Sequence, residues 1–175
     1  LTDLTATPRT FGSFDAAFAL AFEAEISGVT FFAALAETEP EPRRSALWAK
    51  LALIEKRTAA ALRPLASALG LAPSDEAAVQ RSGRDDARDW QSPPFIEVME
   101  IMVRDSPESY LQEFKAMLAV APARAASSVQ LLIDHEAAII DMARAELSGS
   151  GDPNAPLDAY LNCLAGWTTG APHGG

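Results

Sequence analysis

The chain has 175 residues, 49% hydrophobic and 22% charged, which suits one domain with a substantial core. Its 24 acidic residues outnumber its 14 basic ones for a net charge of −10, and an acidic surface repels phosphate backbones, so nucleic acid is excluded as an expected partner. Alanine makes up about a fifth of the sequence, β-branched runs are nearly absent and no hairpin dipeptide separates alternating segments, so the fold class is read as all-α.

Residues 1–12 read as an N-terminal arm. A first helix is expected from near Ser13 to about Thr38, with Asp15 in its first turn, where an acid suits the helix dipole. Pro40-Glu41-Pro42 breaks it, and Pro42 fits the first position of a second helix ending near Leu69, with Gly70 as its cap. Pro64 is expected to kink that helix or end it early. Residues 71–93 read as a crossover connection over the bundle surface, containing a short helix capped by Ser74 and a dense charge run interrupted at Gly83. Pro93-Pro94 opens a helix from Phe95 to about Arg104, and Ser106-Pro107-Glu108 opens another to about Ala121. Pro122 starts the last long helix, which Gly149 and Gly151 end after Ser148. The expected organisation is thus an arm, a bundle over 13–148, and a C-terminal segment over 149–175 made of a short packed helix and a mobile tail.

Each long helix carries a glutamate inside an apolar seam. In the first, Phe18, Phe22, Glu25, Val29, Phe32 and Ala36 share one face; in the second, Trp48, Leu51, Glu55, Thr58 and Leu62 do so. Positions 25 and 55 are equidistant from residue 40, so a hairpin folded there sets both carboxylates roughly 22 Å from the turn. Val129, Leu132, Glu136, Ile139 and Ala143 repeat the theme, and Tyr110, Glu113, Met117 and Val120 form a comparable row whose midpoint with Glu136 falls near Pro122. A carboxylate in such a seam must lose its charge, gain a partner or bind a metal.

Three local patterns carry a resemblance. Glu25, Gly28 and Phe32 give a glutamate, a small residue and an aromatic. Trp48, Leu51 and Ala52 lead up to Glu55, and His135-Glu136 is followed by Ala143 and Glu146-Leu147. On these residues, across roughly 14–148, the chain resembles the ferritin-like superfamily, especially its rubrerythrin-like branch. The resemblance implies a four-helix bundle of two helical hairpins joined by a long crossover, with short extra helices, and a di-iron or di-manganese site. The chain departs from the family's Glu-x-x-His motif, because Thr58 follows Glu55 and Ile139 follows Glu136 at that spacing. The two histidines of the sequence are His135 and His173, the latter in the tail.

Three functions follow from these residues. In the first, the site is degenerate, no residue is catalytic, the glutamates are neutral or hydrogen-bonded with Thr58 as the partner of Glu55, and the protein has a binding or stress-related role. In the alternative, Glu25, Glu55, Glu136 and Glu113 hold iron or manganese in a metal-carboxylate oxidoreductase acting on oxygen or peroxide. His135 is an outside candidate there, since it lies about 100° around the helix from Glu136. The third is a carrier of a small apolar ligand, with Phe18, Phe22, Phe32 and Phe114 lining its cavity. A homodimer is expected to use the spare apolar surface of Phe31, Leu35 and Trp48. No apolar run approaches the roughly 20 residues that span a bilayer, and no secretory leader is visible after the first residue, Leu1. The single cysteine, Cys163, is expected to be buried and inert, and a cytoplasmic location fits one thiol.

Overall fold

Helices α1 (Phe14–Thr38) and α2 (Pro42–Leu69) form the hairpin expected at Pro40-Glu41-Pro42. The computed structural model of the chain describes residues 11–104 and 106–167, all of whose regular structure is helical. Ser13 Oγ accepts from the Ala16 N–H at 3.2 Å, and the Glu41 carboxylate accepts from the N–H groups of Arg43 and Arg44 at 2.9 and 3.0 Å. These bonds satisfy donors that a helix start leaves open. Gly70 closes α2 at φ 70°, a left-handed conformation in which a side chain would be strained. The helix runs through Pro64 rather than ending there.

The crossover expectation needs correction. Residues 76–90 form a full helix, α3 (Glu76–Trp90), capped by Asp75 Oδ1, which accepts from the Ala78 N–H at 2.9 Å; Ser74 is not the cap. This charged helix lies along α1, because Gly83 and Ala87 give it a narrow buried face that needs no large apolar side chain. A Cβ on Gly83 would sit 2.1 Å from the Ser27 carbonyl oxygen, so the two backbones meet only because residue 83 has none. Thr30 Oγ1 lies 2.6 Å from the Gln80 carbonyl, and Arg84 pairs with Glu37 through two contacts of 2.9 and 3.0 Å.

Packing within the chain covers the surface assigned to a dimer. Leu35 and Trp48 are buried, and Phe31 meets Trp90 of α3 edge-on at 5.5 Å between ring centroids. Those three residues are therefore not spare surface.

The chain continues through α4 (Phe95–Arg104), α5 (Ser106–Val120), a single 3-10 turn (Ala123–Ala125), α6 (Ala126–Ser148) and α7 (Asn154–Trp167). α1 touches α2 and α5, and α6 touches α5 and α2, so these four helices close a ring around the core. α4 packs on α6, and α7 lies across α2 and α6. The Arg43 guanidinium pairs with the Glu146 carboxylate, joining the start of α2 to the end of α6. In α7, Leu157, Tyr160 and Leu164 face inward, which leaves Cys163 exposed, contrary to the buried thiol expected. The expected arm and tail, including His173, fall largely outside the described residues.

α1 also corrects the statement about apolar runs. By length and composition it could cross a membrane, with an 18-residue window at mean hydropathy 1.5. Core helices meet the same criterion, and here α2 and α3 pack against α1 and its Glu25 turns inward with the apolar residues.

Candidate metal centre

The seams deliver their acids to one place. Glu25 of α1 and Glu55 of α2 are both buried, at one level of the hairpin. His135 of α6 enters between them. Its Nδ1 lies 3.1 Å from the Glu25 carboxylate and shares a hydrogen bond with Oε1, while its Nε2 lies 3.4 Å from Glu55 Oε1. One ligand atom from each of the three residues falls within 4.8 Å of the others, an arrangement suited to a single metal ion. Two buried atoms of this cluster, Glu25 Oε2 and His135 Nε2, have no hydrogen-bond partner. Each still has a neighbour at ion-pair distance, Glu25 Oε2 at 3.1 Å from His135 Nδ1 and His135 Nε2 at 3.4 Å from Glu55 Oε1, and two carboxylates with an imidazole in a buried site are also the donor set of a metal ion.

His135 is an outside candidate in the sequence because it lies about 100° around α6 from Glu136. α6 buries more than one stripe. Leu131, His135, Ala138 and Met142 form a second seam beside Val129, Leu132, Glu136, Ile139 and Ala143, and both are inside. α7 makes this possible by packing on α6, and its Tyr160 ring stacks on His135 at 5.5 Å and 23°. The signal was present in the sequence as apolar residues at −4, +3 and +7 from His135.

Thr58 is not the partner of Glu55. Its Oγ1 donates back to the Ile54 carbonyl or lies against the Tyr160 hydroxyl at 2.8 Å, within the contacts that hold Tyr160 over the imidazole. Glu136 and Glu113 are buried as expected. Glu136 borders the same cavity as Glu25 and Glu55 and interacts electrostatically with Glu113, but neither joins the three residues within ligand reach of one another.

Burial dominates the protonation of these groups. It lifts the Glu55 carboxyl to about 7, against the opposing pull of His135 and with a smaller push from Glu25. It raises Glu136 well above the ordinary carboxyl value, with His135 again opposing and Glu25, Glu55 and Glu113 adding repulsion. For His135 burial alone would lower the value, but Glu25 and then Glu55 outweigh it and hold the ring well above the usual histidine range. Without a metal, these shifts favour a protonated His135 facing a Glu55 carboxyl that burial holds toward its neutral form.

A cavity of about 370 Å³ reaches the cluster from the side of α1, α3 and α5, and Glu25, Glu55 and Glu136 border it. Phe32 and Phe114 line it, as the carrier reading expected, but Phe18 and Phe22 lie elsewhere in the core. Gly28 sets the position of Glu55: a Cβ there would stand 2.6 Å from both Cδ and Oε2 of that carboxylate. In a helix interior, Gly→Ala ordinarily stabilises by about 1 kcal/mol. Gly28→Ala is expected to lose that gain by displacing Glu55, and to weaken metal binding about ten-fold or more while the fold survives. Thermal unfolding and metal titration of the variant, side by side, check both halves.

No known protein family, curated protein or solved structure matches the chain. The buried Glu-Glu-His cluster in an all-helical protein is therefore the firmest ground for reading its function.

Proposed function

We propose that the protein is a divergent ferritin-like bundle that binds one iron or manganese ion on Glu25, Glu55 and His135 and performs redox chemistry on oxygen or peroxide. One observation carries this reading: three potential ligands from three helices converge in the buried interior, with one ligand atom of each within 4.8 Å of the others. Carboxylate and imidazole donors together suit iron and manganese, and three protein ligands leave positions free for a small oxidant. Glu25, Glu55 and His135 would hold the ion, and the contact of Glu25 with Nδ1 fixes the orientation of the imidazole before an ion arrives. Glu136 borders the same cavity outside the three-residue group and interacts electrostatically with Glu113. The bundle topology of this reading is supported by the ring of α1, α2, α6 and α5.

A second reading has its own observation. The Glu25–His135 bond and the raised Glu55 carboxyl are what a cluster held by protons alone would need, with the protein acting as a scaffold or binding module. Metal content separates the two. Reconstituted protein, freed of loose metal by gel filtration, is expected to retain about one iron or manganese per chain, and Glu55→Ala to retain less than about a tenth of that. Equal metal content in both proteins overturns the metal reading in favour of the proton-held cluster.

A further inference from the structure

The cavity beside the cluster is larger than oxygen or peroxide requires. Its volume of about 370 Å³ falls within the range of pockets that take small organic molecules. Its walls are aromatic on opposite sides. Phe31 and Trp90 meet edge-on at 5.5 Å on the α1–α3 side, and Tyr110 and Phe114 stack at 6.2 Å on the α5 side. The titratable side chains that line it are all acids: Glu25, Glu55 and Glu136, the first two in contact with the His135 imidazole, and Asp86 of α3 at the rim. Asp86 is exposed, and the neighbouring arginines of α3 are engaged elsewhere, Arg84 with Glu37 and Arg88 with Asp85.

From this we infer that the cavity binds a small aromatic amine in its cationic form, its flat apolar body between the Phe31–Trp90 and Tyr110–Phe114 pairs and its ammonium facing the acids. Aromatic faces attract cations as well as apolar rings, carboxyl oxygens on the wall accept the N–H bonds of an ammonium, and the Asp86 carboxylate at the rim favours a cation over an anion of equal size. Oxygen or peroxide alone would need neither the volume nor the aromatic walls. The inference deepens the proposed function, since it rests on Glu25 and Glu55 as the working end of the cavity, but it does not require that a metal be bound there.

Three probes of matched shape test it: 2-phenylethylamine, 2-phenylethanol and phenylacetate, titrated by calorimetry and ligand-observed NMR into metal-free and metal-loaded protein. On metal-free protein the amine is expected to bind about ten-fold or more tighter than phenylacetate, with the alcohol between them, and a bound ion is expected to narrow that difference. Asp86→Asn is expected to weaken the amine several-fold at low salt and to leave the alcohol unchanged. Ala24→Trp, which adds a large ring at the half-buried cavity wall, is expected to abolish binding of both the amine and the alcohol. Phenylacetate binding metal-free protein as tightly as the amine, or Ala24→Trp leaving the amine affinity intact, overturns the inference. Should the protein hold no metal, the ranking of the probes on metal-free protein still decides the matter, so failure of the metal reading and failure of this one are separable.

Discussion

His135→Ala is expected to empty the metal site and to lower the stability of the metal-free protein by about 3–5 kcal/mol. Both effects have one cause. The imidazole lies 3.1 Å from the Glu25 carboxylate and 3.4 Å from Glu55, and all three side chains are buried. Alanine removes the cationic partner of two acids in a medium where an unpaired charge is expensive, and it leaves a hole under the Tyr160 ring. His135→Gln keeps much of the volume and a hydrogen-bond donor, so it should recover part of the stability but not the metal. Chemical denaturation with metal analysis on the same samples reads both quantities. A loss below about 1 kcal/mol in the alanine variant would mean that the cluster is wetter or looser than the structure has it.

The second large effect is an inversion of pH dependence by metal. In the metal-free protein, the folded Glu55 carboxyl titrates at about 7 against an ordinary 4.5. The folded state therefore binds the proton more tightly than the unfolded state does. The stability this contributes is complete below about pH 4.5 and is lost as pH rises to about 7, on the order of 3 kcal/mol over the interval. Glu136, raised for the same principal reason, acts in the same direction. So does His135: its folded value lies above 6.5, so its share is complete below that pH and is lost as pH climbs through the raised value. Metal-free protein should therefore melt at falling temperature from pH 4.5 to 7.5. With saturating iron(II) or manganese(II) the trend should reverse, because the ion replaces the protons and its affinity grows as they leave. Parallel melting curves across this range, with and without metal, supply the check. Two curves that stay parallel would show that the ion does not compete with these protons.

Much of the scaffold was legible because each helix boundary has a local chemical cause. Ser13 and Gly70 sit where expected, and Pro42 opens α2. The spacing around Pro40-Glu41-Pro42 foretold that Glu25 and Glu55 would share a level, which follows from the rise of the helix. The rest depended on partners that a single helix does not reveal. α3 looked like a surface connection because its composition is charged, yet Gly83 and Ala87 were enough to seat it on α1, set Trp90 against Phe31 and put Asp86 and Trp90 at the cavity. His135 is an outside candidate in the sequence because it lies about 100° around α6 from Glu136, whereas α7 buries a second stripe and brings Tyr160 against the imidazole. Thr58 had the right spacing to answer Glu55 but answers Tyr160 instead, because the incoming hydroxyl lies at 2.8 Å.

An anomalous-diffraction experiment on crystals grown with manganese tests the metal reading most directly. The account predicts one anomalous peak per chain, held by Glu25, Glu55 and His135. A well-ordered Glu25–His135–Glu55 cluster with no peak at saturating manganese, and none with iron, would contradict it and leave protons as what holds these three side chains together.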